Sequence, residues 1–301
     1  MSAFFAVAKQ ETKSAGRERL AIALLVVFLG MTVASAAIGW SSHHTVMSVY
    51  NETVLQIGRD IPNPFASASA LDVVKNTVIY IVLIGALLAV VVGVRAGVRD
   101  RKAGVTDLIL SRPIGRRSYL LGKLLGAQAW MGVVLLAALI ASWFSIWVIS
   151  GTPLTLTPTV ILLGFFALAW VFLLPFSVVG MIAGANSRHE STALLIPILI
   201  WVVVTFVIPQ LGTAQNPTAL LNPVPGVAAT SDLFSRVNHT ILQPLSITEH
   251  FKHASAVILQ LQDVSSTAVR GDLLSLGIVA VFALGVLLWT ARSSMRRPLY
   301  E

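Results

Sequence analysis

Six apolar stretches, each about twenty residues long, constrain this chain more than any other feature of its sequence. They occupy residues 20–40, 74–94, 124–149, 159–184, 192–211 and 273–291. About twenty apolar residues in a helix are enough to cross the hydrocarbon core of a bilayer. Because backbone groups inside a bilayer must bond to one another, each stretch is expected to be helical. The sequence therefore predicts an all-α membrane protein with six transmembrane helices, which forms a single transmembrane domain over residues 1–301.

The composition agrees with this class and excludes some chemistry. Of the 301 residues, 56% are hydrophobic and 11% are charged, which is typical of a polytopic membrane protein. The chain contains no cysteine. Disulfides and thiolate metal sites are therefore excluded.

The distribution of basic residues predicts the orientation. In the six-span layout, sixteen of the 21 lysines and arginines fall on one side and five on the other. Such asymmetry predicts that the basic side faces the cytoplasm and that the protein lies in the inner (plasma) membrane. The net charge of +8 is then explained by topology and by attraction to anionic membrane lipid, and nucleic acid is not expected as a partner.

The polar connections complete the layout, with both termini cytoplasmic. We expect an interfacial helix in 1–19, external loops in 41–73 and 212–271, cytoplasmic loops in 95–123 and 185–191, and a cytoplasmic tail in 292–301. The alternative for 1–19 is a flexible basic tail. Within the second external loop, apolar residues at helical spacing predict an amphipathic helix over 246–264.

The first cytoplasmic loop has the densest charge in the chain. Residues 99–126 hold seven basic residues against Asp100 and Asp107. A short helix is predicted over 106–111, because Pro113 and Gly115 break the pattern after it. We interpret the loop as a docking element for a cytoplasmic partner.

This loop resembles the one between the second and third spans of permease subunits in the type-2 ABC exporter family. In that family an acidic pair, a Gly-Thr, a leucine run, a Ser-x-Pro and a Gly-Lys form the coupling helix. The matching positions here are Asp100, Gly104, 108–110, Ser111, Pro113, Gly122 and Lys123. The chain departs from the pattern at Lys102, which replaces the second acid, and at Val105, which moves the threonine to Thr106.

The resemblance implies the type-2 ABC exporter fold, with an N-terminal interfacial helix, a cytoplasmic coupling helix and external amphipathic helices. It implies ABC ATPase subunits bound to the cytoplasmic loops, and a second permease copy or paralogue as partner. The residues we expect to dock the ATPase are Asp100, Gly104, Asp107, Leu108, Arg112 and Pro113 in the first loop, and Arg188, His189 and Glu190 in the second.

Nucleotide chemistry is not encoded in this chain. The Gly122-Lys123 pair fails the phosphate-loop spacing, since Arg117 stands where the first glycine belongs and Leu124 replaces the Ser or Thr. We therefore expect no enzyme activity and no cofactor here, with ATP and Mg²⁺ held by the partner ATPase. The predicted spans also contain no Asp or Glu, whereas an ion-coupled carrier usually needs an ionisable ligand at membrane depth.

Two smaller patterns complete the predictions. Glycines spaced by four at Gly93/Gly97, Gly122/Gly126 and Gly180/Gly184 permit close helix approach. His250 and His253 are weak candidates for metal binding, but such pairs are usually solvated, and no metal site is predicted. Because of these histidines, membership of the branch of the family that contains the copper-processing permeases of nitrous oxide reductase maturation stays open.

Two alternatives to a permease subunit follow from the same features. One is a membrane scaffold that transports nothing and recruits a cytoplasmic partner through its loops. The other is a self-contained channel or carrier. External loops with few charges favour lipid, peptide or hydrophobic cargo for a transporter.

Overall fold

The computed structural model describes residues 3–57, 71, 74–102, 115–150, 154–187, 189–213, 240–241, 243–261 and 266–293. Within these ranges the chain is almost entirely helical and contains no strand. The helices are α1 (Ala3–Ala15), α2 (Arg19–Ile57), α3 (Lys75–Tyr80), α4 (Ala86–Lys102), α5 (Arg116–Ser150), α6 (Leu156–Asn186), α7 (Glu190–Val202), α8 (Ile208–Thr213), α9 (Ile247–Ile258) and α10 (Ser266–Ser293).

Two π-helical turns join shorter helices into longer ones. Ile81–Gly85 connects α3 to α4, and Val203–Val207 connects α7 to α8. With these joints, six helical segments are long and apolar enough to span a membrane: Arg19–Gln56, Lys75–Arg101, Arg116–Ile149, Leu156–Asn186, Glu190–Leu211 and Val269–Ala291. The predicted all-α class with six spans is confirmed.

The helices extend further than the apolar stretches that predicted them. The predicted external loop 41–73 begins within a helix, because α2 continues to Ile57. Residues 41–57 contain neither proline nor glycine, so nothing in the sequence stops the helix there. In the same way α4 runs to Lys102 and α5 begins at Arg116, so helix occupies both ends of the predicted 95–123 loop.

Helix α4 lies at the centre of the bundle. In the span that contains α4, 78% of the most apolar window is buried, against 17% in the fifth span. Its most extensive contact is with α6. The remaining spans surround this pair and expose one apolar face each, as a surface in contact with lipid requires.

Glycines allow the backbones of α4 and α6 to touch. The four involved are Gly93, Gly97, Gly180 and Gly184. A methyl group added to Gly93 would lie 2.1 Å from the carbonyl oxygen of Ser177, and one added to Gly180 would lie 2.3 Å from that of Val90. These distances are far below van der Waals contact. The close approach that the glycine spacing permits is therefore present, and α4 and α6 form a closely packed pair.

Replacing a glycine of α6 by alanine separates the effect of this close contact from the effect of helix propensity. Gly180→Ala should lower the free energy of unfolding by about 1–3 kcal/mol, because the two backbones must separate. Gly164→Ala in the same helix should be neutral or stabilising, since nothing lies within 4 Å of its added methyl group. SDS titration of the protein in mixed micelles measures both variants. Equal stability of the two variants would contradict the packing described here.

Candidate coupling site

The sequence-predicted docking residues divide into two groups. Those outside the described residues are Gly104, Asp107, Leu108, Arg112, Pro113 and Arg188, and the short helix predicted over 106–111 also lies outside them. Those that the structure places are Asp100, near the end of α4, His189, directly before α7, and Glu190, the first residue of α7. The three lie at the same end of the bundle, next to the undescribed stretches 103–114 and 188. This end is called the basic end below.

A buried lysine fixes α5 to α4 at the basic end. The side chain of Lys123 is only 3% exposed. Its Nζ atom donates a hydrogen bond to Oδ2 of Asp100 at 2.6 Å and lies 5.3 Å from the ring centroid of Tyr119. The Tyr119 hydroxyl donates to the same carboxylate oxygen. A charge this deeply buried needs such partners, because desolvation otherwise makes it costly.

Helix α1 supplies the second counter-charge. The side chain of Glu11 is 5% exposed, and its carboxylate lies 2.5 Å from Nη1 of Arg99 and 3.6 Å from Nζ of Lys123. Glu11 thus stands between a cation of α4 and a cation of α5. The predicted N-terminal helix is present, and its one buried acid attaches it to two spans.

Glycines of α5 make room for α1. A methyl group added to Gly126 would lie 2.5 Å from both the Ala8 carbonyl oxygen and the Cβ atom of Glu11. The hydroxyl of Thr12 donates to the Gly126 carbonyl at 3.0 Å. Gly122 also faces α1, with the Phe4 carbonyl at 3.1 Å from its added methyl group. The third predicted glycine pair is therefore a close helix contact as well.

Arg95 connects α4 to two further segments. Its Nε atom lies 3.1 Å from the Glu18 carboxylate, in the turn before α2. Its Nη1 atom donates to Oε1 of Glu190 at the start of α7. Glu190 is the acidic residue of the first turn of α7, a favourable position for negative charge at a helix N-terminus.

Arg101 binds the end of α6. Its Nη1 atom donates to the carbonyl oxygens of Gly184 at 2.8 Å and Ser187 at 3.0 Å. Carbonyls in the last turn of a helix have no partner within that helix, and a cation there is favourable. Arg101 therefore joins the end of α4 to the end of α6.

Four residues at the end of α4 thus bind five other segments. We call these residues the α4 hub: Arg95, Arg99, Asp100 and Arg101. Through them α4 is connected to α1, the turn before α2, α5, α6 and α7. The chain leaves the hub directly into residues 103–114. Four of the five segments are held through paired charges, and α6 is held through hydrogen bonds to its carbonyls.

The cavity beside the hub is too small for a substrate. It is lined by Val7, Gln10, Glu11, Ser14, Arg99, Asp100, Tyr119 and Lys123, and its volume is about 20 Å³. A water molecule needs about this much space. The arrangement is a structural joint in which every acid has a basic partner.

Sequence reasoning missed most of the hub. It assigned no partner to Arg95 or to Glu11. One signal was available for Glu11, since it lies on the same helical face as Ala8 and Ala15, all three of which are buried. An acid within the apolar stripe of an amphipathic helix indicates a buried basic partner.

The two weak metal candidates lie at the opposite end of the bundle. The imidazoles of His250 and His253 both contact the carboxylate of Asp272 in α10. Among the residues that the structure describes, no group of three or more His, Cys, Asp or Glu side chains is arranged to hold a metal ion. Both imidazoles are thus bound by one carboxylate of the last span.

These features define a class of protein: a multi-pass helical membrane protein with paired charges concentrated at one end of its bundle. A family model described as "ABC-2 family transporter protein" matches residues 5–293. The chain belongs to this family, and it is a membrane-spanning permease component of an ABC transporter. A search of curated protein sequences finds no relative that matches this chain.

Removing the charge of Glu11 tests the hub. Glu11→Gln keeps the shape of the side chain but leaves Arg99 and Lys123 to share Asp100, so the free energy of unfolding should fall by about 3–5 kcal/mol. The matched control is Glu52→Gln, an exposed glutamate on α2, which should stay within about 0.5 kcal/mol of the parent. SDS titration in mixed micelles measures both. A similar result for the two variants would rule out a structural role of the Glu11 pairs.

Proposed function

We propose that this chain is the membrane-spanning subunit of an ABC exporter, driven by separate ABC ATPase subunits that bind its cytoplasmic loops. A second permease copy or paralogue completes the transporter. ATP and Mg²⁺ are held by the ATPase, since the phosphate-loop spacing is absent around Lys123. The protein lies in the plasma membrane with its basic end facing the cytoplasm, in agreement with the positive-inside rule.

The observation that carries this proposal is the position of the α4 hub. Residues 103–114, where the sequence predicts the docking helix, follow the hub after a single residue. The hub joins α4 to α1, the turn before α2, α5, α6 and α7. Closure of the ATPase subunits on nucleotide binding would push on residues 103–114. The ion pairs would carry that displacement into α1, α5 and α7, and the Arg101 hydrogen bonds would carry it into α6.

The coupling energy in this account comes from the ATPase. A ligand shifts an equilibrium between two conformations only by its difference in affinity for them. Here the ATPase in its two nucleotide states makes different contacts with the loop. The closely packed pair of α4 and α6 then moves as one body, and the π-helical turns at Ile81–Gly85 and Val203–Val207 are the places where the spans can bend.

A second permease is supported by the filled interior of this one. Large apolar side chains occupy the space between the described helices, among them Met131, Phe165 and Phe172, each fully buried. These apolar side chains do not support a polar pathway through this single chain. The pathway is therefore proposed to form between two subunits.

The copper-processing branch of the family is not part of the proposal. Membership of that branch was considered because of the external histidines. The two that the structure places in α9 contact Asp272. Hydrophobic cargo such as lipid or peptide remains our prediction, on the low charge of the external loops.

Site-specific photo-crosslinking tests the docking directly in living cells. A photoreactive phenylalanine analogue at Leu108 should capture a protein that mass spectrometry identifies as an ATP-binding-cassette ATPase, because Leu108 lies in the predicted docking helix. The matched control is Leu156, which is 80% exposed at the opposite end of the bundle, and it should capture no ATPase.

Two outcomes would overturn the proposal. Capture of the ATPase from position 156 would place the basic end outside the cell. Failure of position 108 to capture any ATPase, while the protein is present in the membrane, would favour the scaffold or the self-contained channel.

A further inference from the structure

The end of the bundle opposite the α4 hub is closed by α9. The ring of Phe251 is fully buried and stacks on Phe172 of α6, with centroids 4.3 Å apart and an interplanar angle of 16°. The ring centroid of Phe251 also lies 6.3 Å from that of Phe165. Ser246 caps the helix by accepting from the Glu249 amide at 3.2 Å. This short amphipathic helix is thus inserted among the spans.

A proline of the fifth span provides one anchor for α9. In the π-helical turn Val203–Val207, the amide of Ile208 donates to the Val203 carbonyl, five residues earlier. By the same spacing, the donor for Val204 would be the nitrogen of Pro209, which carries no hydrogen. The hydroxyl of Thr248 in α9 donates to that Val204 carbonyl at 3.2 Å. Thr248 therefore satisfies a carbonyl that proline leaves available.

His250 provides a second anchor, and its geometry requires a positive charge. The Nδ1 atom lies 2.7 Å from Oδ1 of Asp272, and the Nε2 atom lies 3.0 Å from the carbonyl oxygen of Pro244. A carboxylate and a carbonyl only accept hydrogen bonds, so both ring nitrogens must donate. A neutral imidazole has one N–H group, and only the imidazolium ion has two. Loss of one proton must therefore break one of these two contacts.

His253 contacts the same carboxylate from one turn further along. Its Nδ1 atom bonds to Oδ2 of Asp272, while His250 holds Oδ1. The side chain of Asp272 is 12% exposed, and those of His250 and His253 are 18% and 26% exposed. One carboxylate near the start of the last span thus holds two imidazoles of α9.

The surrounding charges favour the protonated form of His250. On α9 itself, Glu249 and Lys252 form a buried pair at 3.0 Å, and Glu249 adds to the negative potential at His250. The elements packed against α9 are α3, α6, α10, the second π-helical turn and the turn Gln243–Leu245. Within these elements, the charged or titratable residues nearest the end of the bundle that holds α9 are Lys75 and Tyr80 of α3, and Arg270 and Asp272 of α10.

The hydrogen bond to Asp272 raises the pKa of His250 above its usual value of 6.5, with a smaller contribution from the Pro244 carbonyl, against the opposing effect of burial. A group whose pKa is raised on folding stabilises the fold fully below its unfolded pKa. That stabilisation is lost as the pH rises through the folded value. The contact should therefore be strongest in mild acid and weaker in alkali.

We propose that His250, His253 and Asp272 form a proton-dependent latch that holds α9 on the last span. The latch is closed when His250 is protonated, and it loosens when His250 loses its proton and must release either Asp272 or Pro244. In the proposed orientation this end faces the exterior, so external pH would set how firmly α9 closes the bundle. The chemistry itself does not depend on the proposed function.

Hydrogen–deuterium exchange of the full chain in phosphatidylcholine nanodiscs tests the latch. Exchange of peptides covering 243–261 is compared at about pH 6 and about pH 9, corrected for the intrinsic rate, in buffer that contains EDTA to remove metal ions. Protection of α9 should fall roughly tenfold at the higher pH, the size expected for loss of one charge-assisted hydrogen bond. Peptides from α6 serve as the internal reference.

Variants identify the titrating group. His250→Gln should remove the pH dependence, and Asp272→Asn should leave α9 weakly protected at both pH values. His44→Gln is the matched control, since His44 is exposed on α2, and it should behave like the parent. Constant protection of α9 in the parent protein would by itself overturn the proposal, even if a variant fails to fold. A pH dependence that survives in His250→Gln, or disappears in His44→Gln, would overturn it as well.

Discussion

The need to pair buried charge organises the basic end of this protein. Lys123 and Glu11 are almost completely buried, and a lone ion in such surroundings would carry a large desolvation penalty. Each is instead placed between opposite charges, Glu11 between Arg99 and Lys123, and Lys123 between Asp100 and Glu11. Since these partners belong to three different helices, satisfying the charges also fixes the helices relative to one another. Charge pairing is thus the constraint that fixes the position of α1 and the ends of α4 and α5.

Glycine contacts make that fixed geometry stiff. Where Gly93 meets the Ser177 carbonyl, and Gly126 meets that of Ala8, backbone lies against backbone. There is no flexible side chain between the helices to absorb a displacement, so a movement of α4 is passed to α6, and a movement of α5 is passed to α1. Paired charges at the helix ends and glycine contacts along the helices therefore act together. The π-helical turns Ile81–Gly85 and Val203–Val207 lie outside both kinds of contact.

The sequence was enough to predict six spans, because bilayer thickness fixes their length and composition. It permitted the close glycine contacts, since residues four apart share one helix face, but it did not decide that they form. The sequence assigned residues 41–73 to an external loop, and α2 extends into this stretch as far as Ile57. It failed for the α4 hub because the partners are far apart in the chain, with a sequence separation of 88 between Glu11 and Arg99. Only tertiary packing brings such residues together. The docking roles of residues 103–114 remain predictions.

Hydrogen–deuterium exchange of this chain in complex with its ATPase tests most directly whether the hub passes on force from the docking loop. The nucleotide-free and vanadate-trapped complexes would be compared, with no need to know the cargo. The account predicts that nucleotide changes the exchange of residues 3–15, 116–126 and 184–193 in the parent protein. In a variant with Arg95→Gln and Arg99→Gln, the change should become smaller at residues 3–15 and 190–193, whose ion pairs with α4 are removed. It should persist at residues 116–126 and 184–187, which Asp100 and Arg101 still bind. Exchange that does not respond to nucleotide in the parent, or that responds equally in the variant at residues 3–15 and 190–193, would contradict it.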